Sequence, residues 1–356
     1  VTRPVDWALA ERVALRVGGR EPLADSYHAS SLAPDFAAYT AEAEELVAAE
    51  TGLRSQHGPA RARVLDRPAW IRANLAAFQR LLRPLLSRLE ERMGNGPRPI
   101  MRVGAAVAGA ELGTLLGWMS GRVLGQYDLL VVDDETATEQ DLVYYVGPNV
   151  LALEKRFGFP PAEFRLWLAL HEVTHRAQFT GVPWLRPHFL GLVEQAVSNI
   201  EPDPERLTRA LKDAVRGRAG QAFRDGGLLQ VFAPPEQREV LARIAGLMSL
   251  LEGHGDATMD RAGRDRVPQA ERFSRVLRAR REAASAPVRL LQRLTGIEAK
   301  LNQYEQGERF LAAIEKVGGP RVVDVCWEAP DNLPSLEEIR APDRWLARVG
   351  LSSAVA

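Results

Sequence analysis

The run His171-Glu172-Val173-Thr174-His175 holds the residues of this chain whose types and spacing could do chemistry. On an α-helix four residues turn through about 400°, so the two imidazoles leave one face about 6 Å apart, within reach of a single metal ion. Glu172 stands about 100° further round, where its carboxylate can take a proton from a water on that metal. A hydrolytic zinc site takes three protein ligands and keeps a fourth position open, so the pattern supplies two ligands and a base and leaves the third ligand to be found. The competing reading is a pair of core histidines. Burying polar groups on an otherwise apolar face without a partner costs roughly 2–7 kcal/mol each, which favours a metal.

The element that must present these residues is a helix, and its limits are written around the motif. Pro160-Pro161-Ala162-Glu163 opens it, with Pro161 suited to the first turn and Glu163 favourable against the dipole. Gly181 and Pro183 close it. Phe164, Trp167, Leu168, His171 and His175 fall on one stripe, which turns both histidines inward.

Spacing narrows the third ligand to three candidates. The metzincin pattern requires glycine three residues and histidine six residues past the second histidine; Gln178 and Gly181 stand there, which excludes that class. Glu194 follows His175 at a spacing some glutamate-liganded zinc hydrolases use. Glu252 lies in Leu251-Glu252-Gly253-His254-Gly255-Asp256, where Asp256, one turn on, could accept a hydrogen bond from a ligand histidine. His254 is the third candidate, or alternatively a donor to the transition state. Asp256 and the two glycines favour Glu252, because a glycine inside a helix costs about 1 kcal/mol and signals close approach of something. Periodicity does not choose, since Glu252 and His254 fall at opposite edges of the stripe Leu241, Ile244, Leu247, Met248 and Leu251.

The remaining elements read as mostly helical. Amphipathic helices are expected over 6–17, 35–51 and 68–93, then a glycine-rich helix over 103–119 that reads as tightly packed interior. In that setting Glu111 would need an arginine such as Arg102 or Arg122. Stretches 127–132 and 141–146 are the best strand candidates, joined as a hairpin beside the motif helix. Further helices are expected over 189–200, 205–216, 235–262 and 287–317. A last strand is expected over 322–327, with a proline-containing tail that wraps rather than folds. The expected class is mainly α (α+β), with a small hairpin or short sheet beside the HExxH helix. An N-terminal helical region, 1–100, and a metallohydrolase region, 101–356, would form one continuous unit.

Lys plus Arg and Asp plus Glu both number 46, so the net charge is zero and no nucleic-acid partner is expected. The single cysteine, Cys326, rules out an intramolecular disulfide framework and, with no visible secretory signal, leads us to expect a cytoplasmic protein. The apolar run 103–119 falls short of about 20 residues and carries Glu111, so no stable membrane insertion is expected. Oligomeric state is not legible.

Five longer runs carry a resemblance: HEVTHRAQF (171–179), VPWLR (182–186), LLEGHGDATMD (250–260), KLNQYEQGERF (300–310) and VDWALAERVA (5–14). On these the chain resembles a bacterial zincin-like metallopeptidase family, whose members are described as hydrolases or as associated with biosynthesis of a deazaflavin coenzyme. The resemblance implies a mostly helical zincin-like fold. The HExxH and ExxxD pair is also similar to that of the CAAX prenyl proteases and, more loosely, of thermolysin. That implies Zn2+ held by His171, His175 and Glu252, with Asp256 behind a ligand histidine. The expected activity is hydrolysis of a peptide or other amide, with Glu172 as general base. His254, His188, Tyr144 and Tyr145 are candidate donors to the oxyanion. The alternative is a zincin-like scaffold that binds a partner or takes part in coenzyme biosynthesis, with a structural or vestigial metal. Retention of Glu172 argues against it, because a structural zinc has no use for a base there.

Overall fold

A row of glycines sets the first contact of the chain. Helix α1 (Trp7–Gly18) is capped by the Asp6 carboxylate, which accepts the Leu9 N–H at 2.9 Å. It packs on α4 (Arg98–Ser120). A Cβ added at Gly109, Gly113 or Gly117 would stand 2.4, 2.4 or 2.5 Å from the carbonyl oxygens of Asp6, Ala10 and Ala14. The two backbones therefore touch, and the small residues of 103–119 have the packing role their spacing implied. That helix is not interior on every side, however. Val103 is 65% exposed and Glu111 faces solvent, so the carboxylate needs no buried arginine. A computed structural model describes residues 4–21, 23, 26–93, 98–129, 141–198, 235–282 and 297–351.

Contacts divide the chain into two units, the first comprising Val1–Gly181 and Met259–Phe273. Besides α1 and α4 it holds α2 (Ala29–Thr51), α3 (Arg67–Met93), α5 (Gly147–Phe157), α6 (Pro161–Gly181) and a three-stranded sheet. Strand β3 (Leu142–Val146) is central, with β1 (Arg61–Leu65) parallel on one side and β2 (Gly125–Tyr127) antiparallel on the other. All five residues of β3 are buried, as expected of a continuous apolar run paired on both edges. Tyr145 stacks on Phe36 of α2 at 3.9 Å, and its hydroxyl shares a 2.8 Å hydrogen bond with Thr40.

Of the expected strands, 141–146 is present as β3, whereas of 127–132 only Tyr127 lies in a strand, 128–129 do not, and 130–132 lie outside the described residues. Tyr127 pairs with Val143, and β2 begins at Gly125 and ends at Tyr127. The expected turn lies outside the described residues. Strand β1 and helix α5 had no counterpart in the sequence reading. The first is five residues whose partner is remote in sequence, and the second opens on Gly147-Pro148-Asn149, which reads as a breaker. Here Pro148 occupies the first turn, where a missing N–H costs nothing.

The second unit comprises Val182–Thr258 and Ser274–Ala356. It contains α7 (Leu185–Ser198), most of α8 (Pro235–Ala262), the later part of α9 (Ala270–Glu282) and α10 (Ile297–Gly318). The expected helix over 205–216 and the first ten residues of that over 287–317 lie outside the described residues. Residues 322–327 are a correction. They form a 3-10 turn (Val322–Asp324) and one helical turn (Val325–Glu328), not a strand. Val322, Val323, Cys326 and Trp327 are the buried residues, and their spacing suits a helical turn as well as a strand. The tail also folds more than expected, into helices Leu336–Arg340 and Pro342–Arg348. Ser335 and Glu338 form a reciprocal capping box, and Trp345, fully buried, donates its indole N–H to the Asn332 carbonyl at 2.8 Å. Among the described residues no helix is long and apolar enough to cross a membrane.

Candidate metal centre

Helix α6 runs from Pro161 to Gly181, the limits its capping residues implied. Two buried arginines anchor it on either side of the motif. Arg165 meets both oxygens of Glu154 at 2.8 and 2.9 Å and also reaches Asp35 and the Ser31 hydroxyl. Burial alone would depress the Arg165 pKa, but these carboxylates outweigh it and hold the guanidinium above its ordinary value. Arg176 donates to Asp141 at 2.6 Å, to Glu44 at 2.6 Å and to the Gly58 carbonyl at 2.7 Å. An arginine fork serves such planar, multivalent pairing, and it locks the rotation of α6 against α2 and the start of β3.

With the helix fixed, the histidines converge. Gln178 Oε1 lies 3.0 Å from His175 Nδ1. An amide oxygen only accepts, so Nδ1 carries the proton and Nε2 presents its lone pair. That Nε2 stands 3.3 Å from His171 Nε2, with the ring planes at 86°. Two nitrogens bound to a tetrahedral zinc at about 2.0–2.1 Å stand roughly 3.3 Å apart, so the pair has the separation the ion requires.

Glu172 is buried and faces strand β2. The Tyr127 amide donates to its Oε2 at 3.1 Å. Asp128 N–H and Leu124 C=O pair with β3 at 3.0 and 2.8 Å, so the alternation of an antiparallel ladder turns the backbone groups of Gly125 and Tyr127 away from β3, towards Glu172. Among the described residues β2 is an edge strand of the sheet, and the Glu172 carboxylate sits beside it and takes one of its amides.

Glu252 occupies α8, whose limits match the expected 235–262. The glycine after it is explained: a Cβ on Gly253 would lie 2.4 Å from the Gly307 backbone of α10, and one on Gly307 2.0 Å from the Ser249 carbonyl. The close approach that the glycines implied is a helix crossing that fixes the turn carrying Glu252. Just past the other end of α8, Gly263 closes on the Leu170 side chain, the residue before His171.

His171, His175 and Glu252 each offer a ligand atom, and these atoms all lie within 4.8 Å of one another. Two imidazoles and one buried carboxylate make a donor set suited to zinc, so the residues present fit the metal. Glu194 is not in the group; it is an exposed position on α7. His254 is buried with its ring 5.2 Å from that of Trp327. Asp256, one turn beyond Glu252, is half-buried. Of the other candidate donors, Tyr145 is held in the core by Thr40, and Tyr144 donates to Asp128 at 3.1 Å. His188 packs on Trp184, and burial first, then the Arg243 charge, hold its pKa below the ordinary value. Trp167 joins a core cluster with Phe164 and Phe273.

Sequence reasoning missed Gln178, Arg165, Arg176 and Gly125. Gln178 stands one turn past His175 on the motif face, and each arginine interrupts an apolar helix, so a signal existed for three of the four. Gly125 carried none.

A sequence profile of the zincin-like metallopeptidase family matches residues 5–346. The chain is also similar, at 31% identity and a TM-score of 0.71, to a crystal structure of "a putative hydrolase with a novel fold" from Chloroflexus aurantiacus; the match covers 97% of this chain and 99% of that one. A search of curated proteins returned no match. With a family match over almost its whole length, and two histidines of a group that could hold a metal on the expected helix, the chain belongs to the zincin-like metallopeptidases.

Proposed function

We propose that this protein is a zinc-dependent hydrolase of peptide or other amide bonds, with His171, His175 and Glu252 as metal ligands and Glu172 as general base. The observation that carries the reading is Glu252 completing a group whose two Nε2 atoms stand 3.3 Å apart. A hydrogen bond from one ring N–H to the other ring nitrogen accounts for that distance by itself, so it is the Glu252 carboxylate in the same group that favours a cation.

Held by His171, His175 and Glu252, a zinc ion would supply Lewis-acid chemistry and a more acidic water. Glu172 would accept a proton from the attacking water as the water oxygen bonds to the carbonyl carbon. The same carboxyl then returns the proton to the nitrogen as the C–N bond breaks, leaving a carboxylate and an amine. Gln178 would hold His175 in the tautomer that ligates, and Asp256, one turn beyond Glu252, would do the same for a ligand histidine. His254 or His188 would donate to the oxyanion. Among the described residues β2 is an edge strand beside Glu172, which suits a substrate laid alongside it in extended form. Glu172 is retained and buried at the site, which supports catalysis over a binding scaffold. Peptide substrate, cytoplasmic location and absence of a nucleic-acid partner belong to the same proposal.

The test is a pair of variants. Glu172→Gln should keep its zinc and lose at least 100-fold in hydrolysis of an internally quenched peptide library. His171→Ala should lose the zinc. Undiminished hydrolysis by Glu172→Gln would remove the assignment of the base.

A further inference from the structure

The base is seated by a strand, and the seat contains no side chain. A Cβ placed on Gly125 would lie 2.6 Å from both Cγ and Oε1 of Glu172 and 2.8 Å from its Cδ. Real Cβ atoms do not approach this closely, so the carboxyl arm lies flat against the glycine. Two residues on, the Tyr127 amide donates to Oε2 at 3.1 Å. The strand touches the arm along its length and holds one of its two oxygens. We propose that Gly125 and the Tyr127 amide form a seat that fixes the rotamer of Glu172, which makes Gly125 a positioning residue for the reaction. This rests on the reading of Glu172 as general base.

The surroundings decide which partner would move if a side chain were added. Between the two seat residues, Gln126 points the other way, accepts from the Trp70 indole at 2.8 Å and donates to Asn74 at 3.2 Å. Trp70 is itself 1% exposed. Across the ladder Gly125 pairs with Tyr145, which is fully buried between Phe36 and Thr40. The strand therefore cannot retreat from Glu172. The glutamate, with three rotatable bonds, would turn instead, and its carboxylate would leave the position from which it meets the water. A displacement of about 1 Å in a reacting group can cost on the order of 100-fold in rate.

The seat predicts a specific pattern of defects. In Gly125→Ala, kcat for the quenched peptide library should fall about 10- to 100-fold, while KM stays within about two-fold and zinc content is unchanged. Added to Glu172→Gln, the same change should cost nothing further, because it acts only through Glu172. A Gly125→Ala enzyme within two-fold of wild type, or an equal loss in both backgrounds, would overturn the proposal. The contact has its own readout, independent of turnover and of the folding of Gly125→Ala. By hydrogen exchange, Glu172→Ala should raise the rate at the Tyr127 amide at least ten-fold relative to the amides of β3, and an unchanged rate would overturn the seat. Full activity of Glu172→Gln with a deprotected Tyr127 amide in Glu172→Ala would instead strike the general-base reading alone.

Discussion

The two helices that carry the candidate ligands are held by opposite means. Helix α6, with His171 and His175, is anchored by buried charge, Arg165 and Arg176 each meeting two carboxylates. Helix α8, with Glu252, is anchored by the absence of side chains, Gly253 lying against Gly307 so that backbone meets backbone. A charge network is directional and fixes rotation about the helix axis, which two histidines on one face require. A glycine crossing fixes distance, and one carboxylate with free torsions asks for no more than that. The difference teaches that metal-site precision is shared out according to how many ligands an element must aim.

The largest effect should come from the charged anchor. Arg176→Met leaves Asp141 and Glu44 facing a buried apolar chain, at a cost of about 3–5 kcal/mol. Thermal melting should show it, with loss of zinc following loss of structure. A small shift in Tm would mean that rotation of α6 is fixed elsewhere.

The glycine anchor should answer differently. Gly253→Ala forces a methyl into the Gly307 backbone and should destabilise by about 1–3 kcal/mol, with weaker zinc binding even where the protein remains folded. Calorimetric titration of zinc into the metal-stripped variant measures the second part. Wild-type affinity in a destabilised variant would show that the crossing supports the unit without setting the position of Glu252.

Gln178→Leu sharpens the comparison at a single ligand. Without the amide oxygen at 3.0 Å, His175 loses the contact that selects its tautomer, and zinc affinity should fall about 10- to 100-fold with little change in Tm. The smallest effect belongs to the second unit's own charged contact. Burial raises the Glu338 pKa, but hydrogen bonds from Arg348 and Ser335 outweigh it and hold the carboxyl below its ordinary value. A depressed carboxylate stabilises above its unfolded pKa of about 4.3, and that contribution is lost as pH falls through the folded value. The hydrogen-exchange protection factors over 336–348, corrected for the slower intrinsic exchange in acid, should therefore fall on acidification below about pH 4.

Both ligand helices were legible because their signals are local. Pro161, Glu163 and Gly181 bound α6, and a long period-3.6 stripe defines α8. Glu252 was preferred among three candidates on the strength of Asp256 and two glycines, and one of those glycines does mark a close approach. What stayed hidden depends on distant partners. Strand β1 exists because β3 offers a parallel edge some 80 positions away, and nothing in Arg61–Leu65 announces it. The seat of Glu172 is hidden for the same reason, since Gly125 means something only once β2 lies beside α6. Residues 322–327 misled because β-branched propensity is weak without a neighbouring strand to pair with.

The most direct test of the account is the metal content of the purified protein and of Glu252→Ala. The account predicts about one zinc per chain in the wild type, removed by chelator together with activity, and a zinc-depleted Glu252→Ala that remains folded by circular dichroism. A wild type without a divalent ion even after incubation with zinc, or a folded Glu252→Ala that binds zinc with undiminished affinity, would contradict it.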